Sequence, residues 1–327
     1  MNIRFKKVHG SNNDFILIDE TKHNLSFNDK IRSKLAQLLC NRQTAIGADG
    51  ILYVRTDVEK DGRMQIFNAD GSEASMCGNG LRAAGRYICE QVGKDEIIVE
   101  TMKANLYVKK DEEIFPNIPS YRVEISPVSF QLKDLPALDE REQIINEKID
   151  LLSNELSFTC VAVPNPHLIT IVQKEQLLSD EQTRISEYVN GRNPIFPDGV
   201  NVSFVYLMDQ EEIFVRTFER GVGYTNACGT AMSASSLVVA LNGFYDFEKR
   251  LKVYNPGGFV HTIVHRNEHG FSIDLIGNAT YVFDGEVDVH LESETINQYQ
   301  EIYSYVDEIN QYLEMEKYAK SKLSFLF

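Results

Sequence analysis

The sequence predicts an α/β protein of the α+β kind, in which two pseudo-symmetric units each wrap a sheet around a central helix. Its length of 327 residues suits about two domains. Short runs rich in β-branched and aromatic residues alternate with a few helical patterns. An internal repeat, offset by 151 residues, relates the first half of the chain to the second. The hydrophobic fraction of 43% is enough to form a core in each unit.

The repeat is centred on Cys77 and Cys228, each followed by a glycine and then by a helix of small residues that ends near another glycine. A phenylalanine precedes each cysteine by ten residues, and an asparagine lies 64 residues before the first and 63 before the second. An Asp-Gly pair begins 28 residues before the first cysteine and 30 before the second. Because these features recur in the same order, we infer two related units that contribute equivalent groups to one cleft.

The elements follow from hydrophobic periodicity. Ser26 is expected to cap a first helix, whose apolar stripe comprises Ile31, Leu35, Leu38 and Leu39. Strands of the first half are predicted at residues 4–5, 15–18, 51–54, 64–67, 97–101 and 106–109. Strands of the second half are predicted at residues 121–125, 160–163, 168–172, 202–206, 213–218, 252–254, 259–265, 271–275 and 281–286.

Two segments are expected to be peripheral and receive no chemical role. Residues 132–155 are dense in charge, which is typical of a solvated helix or an insertion. The tail from Glu292 has a helical period and a stripe that includes Tyr299, Ile302 and Val306. We interpret that tail as a surface helix that docks on the body or on a partner chain.

Composition excludes several classes of function. The formal net charge of −15 is opposite in sign to the basic surface that nucleic-acid binding needs. The apolar runs are far shorter than the ~20 residues that span a bilayer, and no secretory h-region follows the N-terminal basic residues. Five cysteines, with no C-x-x-C pair, indicate neither a disulfide framework nor a zinc site. We therefore expect a reduced, cytoplasmic protein.

The two repeated cysteines carry the predicted chemistry. Each opens a helix, where the dipole and free N–H groups favour a thiolate and can also hold a carboxylate. Two thiols that face one carbon from opposite sides suit racemisation, since one removes an α-proton while the other supplies one. The other three cysteines, Cys40, Cys89 and Cys160, are expected to be packing residues.

Six segments of the chain resemble the diaminopimelate epimerase family. They are NADGSEASMCGNGLR at 68–82, FERGVGYTNACGT at 218–230, KVHGSNNDF at 7–15, GADGIL at 47–52, PNPH at 164–167 and NPGG at 255–258. The match runs in order from the first strand to about Val287, and it omits the charged segment and the C-terminal tail. Three positions differ from the usual pattern of the family. Tyr224 stands where Glu is common, Ala231 stands where Gly is common, and Ser11-Asn12 stands where Leu-Gly is frequent.

The resemblance implies a fold of two domains, each a mostly antiparallel sheet curled around a central helix, with the active site in the cleft between them. The first half, with Cys77, is expected at residues 1–120 and is joined by returning strands at about 275–290. The second half, with Cys228, is expected at 121–274, and a helical extension at 291–327.

The resemblance also implies residue roles. Cys77 and Cys228 would be the acid/base pair, with His167 assisting Cys77 and Glu219 assisting Cys228. Arg220 would pair with the distal carboxylate of the substrate. The full set of implied substrate-binding residues is Asn13, Asn68, Gly78, Asn79, Asn165, Asn201, Arg220, Gly229 and Thr230.

The expected function is interconversion of L,L- and meso-2,6-diaminopimelate for lysine and peptidoglycan precursors, with no cofactor and no metal. The expected partners are the small amino-acid substrate and a second copy of the chain in a homodimer, and neither nucleic acid nor a membrane. Two alternatives stay open: a racemase of another amino acid, and a thiol-redox or binding protein that retains the cysteine pair. Because the unusual Tyr224 lies close to Cys228 in the chain, the first alternative stays open.

Overall fold

The structure is a computed structural model that describes residues 1–43, 46–209, 211–268 and 270–326. Its helices are α1 (Asp29–Leu39), α2 (Gly78–Val92), α3 (Lys174–Leu178), α4 (Glu181–Asn190), α5 (Gly229–Leu241) and α6 (Val306–Leu323). Its first strands are β1 (Asn2–Gly10), β2 (Asn13–Asp19), β3 (Gly50–Arg55), β4 (Gly62–Asn68), β5 (Glu73–Ala74), β6 (Glu96–Glu100), β7 (Asn105–Asp111), β8 (Ser120–Ile125), β9 (Glu147–Ile149) and β10 (Ser153–Val163). The later strands are β11 (Asn165–Val172), β12 (Asn201–Asp209), β13 (Glu212–Glu219), β14 (Gly223–Tyr224), β15 (Arg250–Asn255), β16 (Gly258–Asn267), β17 (Gly270–Asn278), β18 (Thr280–His290) and β19 (Thr295–Ser304).

The chain divides into two compact units. Unit 1 comprises Met1–Val123 and Ile276–Met315, and unit 2 comprises Glu124–Leu275 and Glu316–Phe327. The mixed α/β class predicted from the sequence is confirmed, since strands dominate both units and helices are few. No helix in the described residues is long and apolar enough to cross a bilayer.

Unit 1 wraps a strand layer around α2. The pairing is antiparallel between β1 and β2, parallel between β2 and β3, and antiparallel from β3 to β4 and from β4 to β5. Strand β6 then pairs parallel with β4 and antiparallel with β7. The returning strand β18 pairs antiparallel with β1, and β19 extends it. Helix α2 packs against β1, β2, β3, β4, β6 and β7.

Unit 2 repeats this pairing strand for strand. Strands β10 and β11 are antiparallel, β11 and β12 parallel, and β12, β13 and β14 successively antiparallel. Strand β15 is parallel to β13 and antiparallel to β16. Helix α5 packs against β10, β11, β12, β13, β15 and β16. The predicted internal repeat is therefore confirmed in the topology as well as in the sequence.

The central helices are buried over nearly their whole length, which explains their composition. All twelve residues from Gly78 to Cys89 in α2 are buried, as are all twelve from Gly229 to Ala240 in α5. A helix surrounded by strands has limited room for side chains, which agrees with the Gly and Ala residues of α2 and the Ala and Ser residues of α5. Each begins at a cysteine in an extended N-cap conformation, as predicted. Helix α2 ends at Gly93 in the left-handed conformation, at φ +70°, where glycine fits without strain.

The first helix starts two residues later than predicted. Asn28, and not Ser26, is the N-cap, and its side chain accepts a hydrogen bond from the backbone N–H of Ile31. Asn and Ser are nearly equivalent at this position, so local preference does not separate them. The apolar stripe is correct, because Leu35 and Leu39 are fully buried in the core of unit 1.

The helical interpretation of residues 132–155 is wrong. This segment contains one short 3₁₀ turn, Leu132–Asp134, followed by β9 and the start of β10. Several of its apolar residues are buried, among them Ile144 and Ile149 at 0% and 4% exposure, whereas Leu138 and Leu151 are exposed. Charged residues dominate the composition of this segment, but they alternate with buried apolar residues. The segment is therefore an irregular, packed stretch of chain and not a solvated helix.

The tail prediction is partly wrong, because helix α6 begins only at Val306. Residues Thr295–Ser304 form β19, which pairs antiparallel with β18 so that Tyr299 lies opposite Val287. The segment contains Thr, Ile and Tyr, which favour strands, and the edge of β18 offers backbone partners. Tertiary pairing therefore overrides the apparent helical period.

The close packing of α2 gives a stability prediction. A Cβ atom added at Gly85 would overlap the side chain of Val108, which is fully buried in β7. Alanine normally stabilises a helix relative to glycine, but here we expect Gly85→Ala to lower the free energy of unfolding by about 1–3 kcal/mol through overpacking. Urea denaturation of Gly85→Ala, Val108→Ala and the double variant measures this, and the double variant should recover part of the loss. An unchanged or higher urea midpoint in Gly85→Ala would contradict the packing.

Candidate active site

In unit 1 the site residues gather at the N-terminus of α2. Cys77 is half-buried, and its Sγ accepts a hydrogen bond from the backbone N–H of Gly80 at 3.4 Å. The same sulfur lies 3.4 Å from Oδ1 of Asn13, to which the thiol donates. The helix N–H favours the thiolate, whereas the Asn13 oxygen favours the protonated thiol. Cys77 thus has a partner suited to each protonation state.

The side chains beside Cys77 are held in defined orientations by charged groups. Asn13 donates through Nδ2 to a carboxylate oxygen of Asp49 at 2.7 Å, which leaves Oδ1 facing the thiol. Asn79 accepts through Oδ1 from Nη2 of Arg82 at 2.9 Å, and its Nδ2 donates to Oδ1 of Asn13 at 3.4 Å. Because a carboxylate only accepts and a guanidinium only donates, the chemistry of these neighbours determines how both carboxamides are turned.

The other predicted residues of unit 1 lie close by in the chain. Gly78 is the first residue of α2 and is buried. The first backbone N–H groups of a helix have no partner within the helix, so those at this end are suited to an anionic group. Asn68 ends β4, is exposed, and donates to the hydroxyl of Ser72 at 3.0 Å. Asn68 therefore stabilises the turn after β4, and this contact does not exclude substrate binding.

In unit 2, Cys228 is more deeply buried, at 9% exposure. Burial raises the pKa of its thiol well above the ordinary value, and the nearby carboxylate of Glu219 raises it further. The hydroxyl of Thr230, 3.5 Å from the sulfur, opposes this rise only in part. Cys228 is therefore a protonated thiol in the free protein, with a carboxylate beside it that can take its proton.

His167 is fully buried next to this group. Its Nε2 lies 3.1 Å from the hydroxyl of Thr230, and its Nδ1 has no hydrogen-bond partner among the described residues. Burial lowers the pKa of the imidazole to about 3, with a smaller contribution from the charge of Arg220. The ring is neutral at physiological pH, so it can accept a proton only when an anion or a substrate compensates the charge.

The remaining predicted residues of unit 2 lie near the ends of its strands. Asn201, buried at the start of β12, accepts a hydrogen bond from the backbone N–H of Arg220 at 2.8 Å. The exposed side chain of Arg220 donates through Nη1 to the carbonyl of Asp198 at 3.1 Å. Asn165 is half-buried at the first position of β11, and Gly229 is the buried first residue of α5. These residues place an amide, a guanidinium and a helix N-terminus in the same unit as Cys228.

The three other cysteines are packing residues, as predicted. Cys40, Cys89 and Cys160 are buried at 2%, 5% and 0% exposure, and burial raises the pKa of each thiol to about 12. Such thiols are unreactive at neutral pH. In the described part of the chain, no cluster of three His, Cys, Asp or Glu side chains could hold a metal ion.

Sequence reasoning assigned no role to two charged residues that contact this arrangement. Asp49 appeared only as part of the Asp-Gly repeat, and that recurrence was a usable signal. Arg82 lies at the end of the CGNGLR segment, and a basic residue between the apolar Leu81 and Ala83 is the signal that was not used.

Comparison with known proteins finds relatives whose similarity covers both units. The family model for diaminopimelate epimerase matches residues 5–115 and 159–282. A diaminopimelate epimerase of Ligilactobacillus salivarius is 52% identical over 283 residues, which cover 84% of this chain and 87% of that protein. One of Listeria innocua is 47% identical over 322 residues, covering 95% and 98%. Among solved structures, a phenazine biosynthesis protein of the PhzF family from Bacillus anthracis has a TM-score of 0.65 at 18% identity, covering 88% of this chain and all of that one.

The environment of Cys228 leads to a testable shift in its reactivity. We expect Glu219→Gln to lower the pKa of the Cys228 thiol, since the neutral amide removes the carboxylate that opposes ionisation while burial stays the same. Alkylation of Cys228, followed across pH by peptide mass spectrometry, should then begin at lower pH. Glu212→Gln is the matched control, because Glu212 lies at the other end of β13 and contacts Lys252 and Tyr254. An identical pH profile in Glu219→Gln and the wild type would contradict the electrostatic account.

Proposed function

The chain belongs to the diaminopimelate epimerase family, and on this premise we propose that it interconverts L,L- and meso-2,6-diaminopimelate. The protein is an isomerase of the epimerase class. The reaction would supply the meso isomer to lysine and peptidoglycan precursor synthesis. The observation that carries the proposal is the duplicated thiol: Cys77 and Cys228 each cap the buried central helix of equivalent units.

The proposed chemistry uses one thiol from each unit on opposite faces of the substrate α-carbon. A thiolate removes the α-proton and becomes a thiol, and the other thiol gives its proton to the opposite face and becomes a thiolate. One C–H bond breaks and one forms, so the product carries inverted configuration and the enzyme has exchanged the charge of its two sulfurs. The reverse reaction then starts from the other cysteine.

Neighbouring groups support this exchange. Glu219, beside the buried Cys228, is proposed to assist proton movement at that sulfur, and His167 is proposed to assist Cys77. The α-carboxylate would be held by the backbone N–H groups of Gly78, Asn79, Gly229 and Thr230, which begin the two helices. An anion placed there is stabilised by the dipoles of both helices, and this would favour the carbanion-like transition state.

The rest of the substrate is proposed to be bound by polar side chains. Arg220 is suited to the distal carboxylate, since its guanidinium is exposed and donates a hydrogen bond to a backbone carbonyl. Asn13, Asn68, Asn165 and Asn201 would bind the remaining ammonium and carboxylate groups. A site that binds both ends of the substrate would select diaminopimelate over amino acids with one carboxylate.

Two further parts of the proposal concern the cell and the assembly. We place the enzyme in the cytoplasm, where its five cysteines would remain reduced. We also propose that it acts as a homodimer, which light scattering coupled to gel filtration tests directly. A monomeric mass at working concentration would overturn the homodimer and leave the enzymatic proposal intact.

The enzymatic proposal is tested by incubating the protein with L,L-diaminopimelate in D2O. We expect meso product with deuterium at one α-carbon, because solvent protons exchange with the thiols. Cys77→Ser and Cys228→Ser should each lower kcat by at least about 10²-fold, since a hydroxyl is a far weaker acid and base near neutral pH. Cys89→Ala, a change at a packing thiol of α2, is the control that should retain turnover.

The outcomes separate the alternatives. Turnover of another amino acid, with none of diaminopimelate, would replace the proposed substrate by that of a related racemase. Absence of exchange with every amino acid tested, in protein with reduced thiols, would contradict enzymatic function and favour a binding or redox role.

The proposed role of Arg220 gives a separate kinetic expectation. Arg220→Met should raise KM by about 10- to 100-fold with a smaller change in kcat, since loss of a charge-assisted contact remote from the α-carbon removes binding in both ground and transition states. Arg220→Lys should recover only part of the affinity, because an ammonium cannot make the paired contact. Steady-state kinetics with L,L-diaminopimelate measures both. An unchanged KM in Arg220→Met would exclude Arg220 from substrate binding.

A further inference from the structure

Arg82 carries a positive charge in the interior of unit 1 without a carboxylate partner. Its side chain is fully buried in α2. The guanidinium donates to three neutral acceptors: the carbonyl of Asn278, the hydroxyl of Ser11 and Oδ1 of Asn79, at 3.1, 3.1 and 2.9 Å. Its Nη1 has no partner among the described residues. Burial lowers the pKa of Arg82 to about 10, which still leaves it charged at neutral pH. A buried, unpaired charge is costly and persists only where something compensates it.

The other ionisable groups around the N-terminus of α2 do not compensate Arg82. They are Lys7 and His9 on β1, Asp14 on β2, Arg42 and Asp49 before β3, Asp70 and Glu73 before α2, and Tyr312 on α6.

Four of these groups form a neutral cluster. Lys7 and Arg42 pair with Asp14 at 2.6 Å, and Arg42 also pairs with Asp49 at 2.7 Å. Two cations and two carboxylates cancel within this cluster.

The other four leave the interior positive. Burial lowers the pKa of His9 to about 4, so its ring, in contact with Tyr312, is neutral. Asp70 is solvated and hydrogen-bonds Ser72, whereas Glu73 is half-buried on its short strand and accepts from Gln65. Solvent screens a charge near the surface far more strongly than one in the interior. Arg82 therefore remains a buried charge without a carboxylate partner among the described groups around this helix N-terminus.

Cys77 and Tyr312 both interact with this charge, and of the two only the thiol of Cys77 belongs to the candidate site. An ionised Cys77 stabilises the charged form of Arg82, and electrostatic coupling is reciprocal, so Arg82 stabilises the Cys77 thiolate to the same extent. A hydrogen-bonded path also connects them, from Arg82 to Asn79, from Asn79 to Asn13, and from Asn13 to the sulfur.

The internal repeat supplies the counterpart of each charge. The residue 151 positions after Arg82 is Ser233, which is buried in α5 and donates to the carbonyl of Gly229. The residue 151 positions before Glu219 is Asn68. Unit 1 thus has an arginine where unit 2 has a serine, and unit 2 has a carboxylate where unit 1 has an amide. Both differences favour an anion at Cys77 and a proton at Cys228.

We propose that Arg82 is a positioning residue that makes Cys77 the resting thiolate, while Cys228 rests as the thiol. Arg82 acts through its buried charge and through the orientation of Asn79, and it does not touch the substrate. The inference deepens the proposed function and rests on it for the roles of the two thiols.

The test measures the charge of Cys77 without substrate, so it does not depend on whether diaminopimelate is the substrate. The rate of Cys77 alkylation by iodoacetamide is followed by peptide mass spectrometry from about pH 6 to 10, where a thiolate gives the reactive form. We expect Arg82→Gln to move the midpoint upward by about one pH unit, so that alkylation below the midpoint slows about tenfold. Arg82→Lys, which keeps the charge, should shift it less.

The matched control is Arg86→Gln, one turn further along the same helix. Arg86 is buried like Arg82, but Glu308 and Glu90 neutralise it at 2.7 and 2.9 Å. Its loss should leave the Cys77 midpoint unchanged. If Arg86→Gln shifted that midpoint as much as Arg82→Gln, a general loosening of α2 would explain the result and the proposal would fail.

A second variant covers the case in which Arg82→Gln does not fold. Ser11→Asp leaves Arg82 in place and gives it a carboxylate partner, and Asp tolerates the left-handed backbone of this position at φ +54°. We expect the Cys77 midpoint to rise in this variant as well. Folded Arg82→Gln or Ser11→Asp protein with the wild-type midpoint would overturn the proposal.

Discussion

The structure depends on the burial of a helix whose first turn must nevertheless remain accessible to a ligand. Helices α2 and α5 are each surrounded by strands of their own unit and are buried over most of their length. Burial removes water from the helix N-terminus, so its unpaired N–H groups and dipole act in a low-dielectric environment, where they are more effective. In the proposed function, the capping residue of each helix lies where the buried helix meets the ligand. A cysteine there has a sulfur whose ionisation the surrounding protein can adjust.

Duplication alone would make the two thiols alike, and the charges beside them make them different. In unit 1, Arg82 lies in the interior with neutral partners, while the carboxylates of Asp14 and Asp49 are neutralised by their own cations. In unit 2, burial and Glu219 both hold the proton on Cys228. A two-base exchange needs one base and one acid at the start of each turnover, so a difference in charge is as necessary as the similarity in fold. The cost of an unpaired buried arginine is then explained by chemistry and not by stability.

Much of the fold and of the candidate site could be predicted from the sequence, because the signals were local or repeated. The cysteine caps, the glycine after α2 and the packing thiols follow from residue type and spacing, and the repeat of the topology from a constant offset. The helical prediction for Thr295–Ser304 failed because β18 offers a backbone edge to this segment, and no local pattern reports such an edge. Arg82 and Asp49 received no role for the same reason: the role of a charge depends on which groups surround it in three dimensions. Asn79 and Asn13 were named from motifs, but their orientation becomes defined only once the guanidinium and the carboxylate beside them are known.

The difference in charge around the two thiols also matters for catalysis, because the fold is duplicated whereas the two ends of the substrate are unlike. L,L- and meso-diaminopimelate differ at one α-carbon, so in the proposed mechanism the forward and reverse reactions would begin from opposite thiols and leave the enzyme in opposite charge states. A strong preference for one state would speed the first proton transfer in one direction and slow the return of the free enzyme to the other state. The preference must therefore be moderate, and the contacts of Cys77 fit this requirement. The N–H of Gly80 and the charge of Arg82 favour the anion, whereas the oxygen of Asn13, held toward the sulfur by Asp49, favours the thiol. Opposed interactions of this kind keep both protonation states within reach, which an enzyme that works in both directions requires.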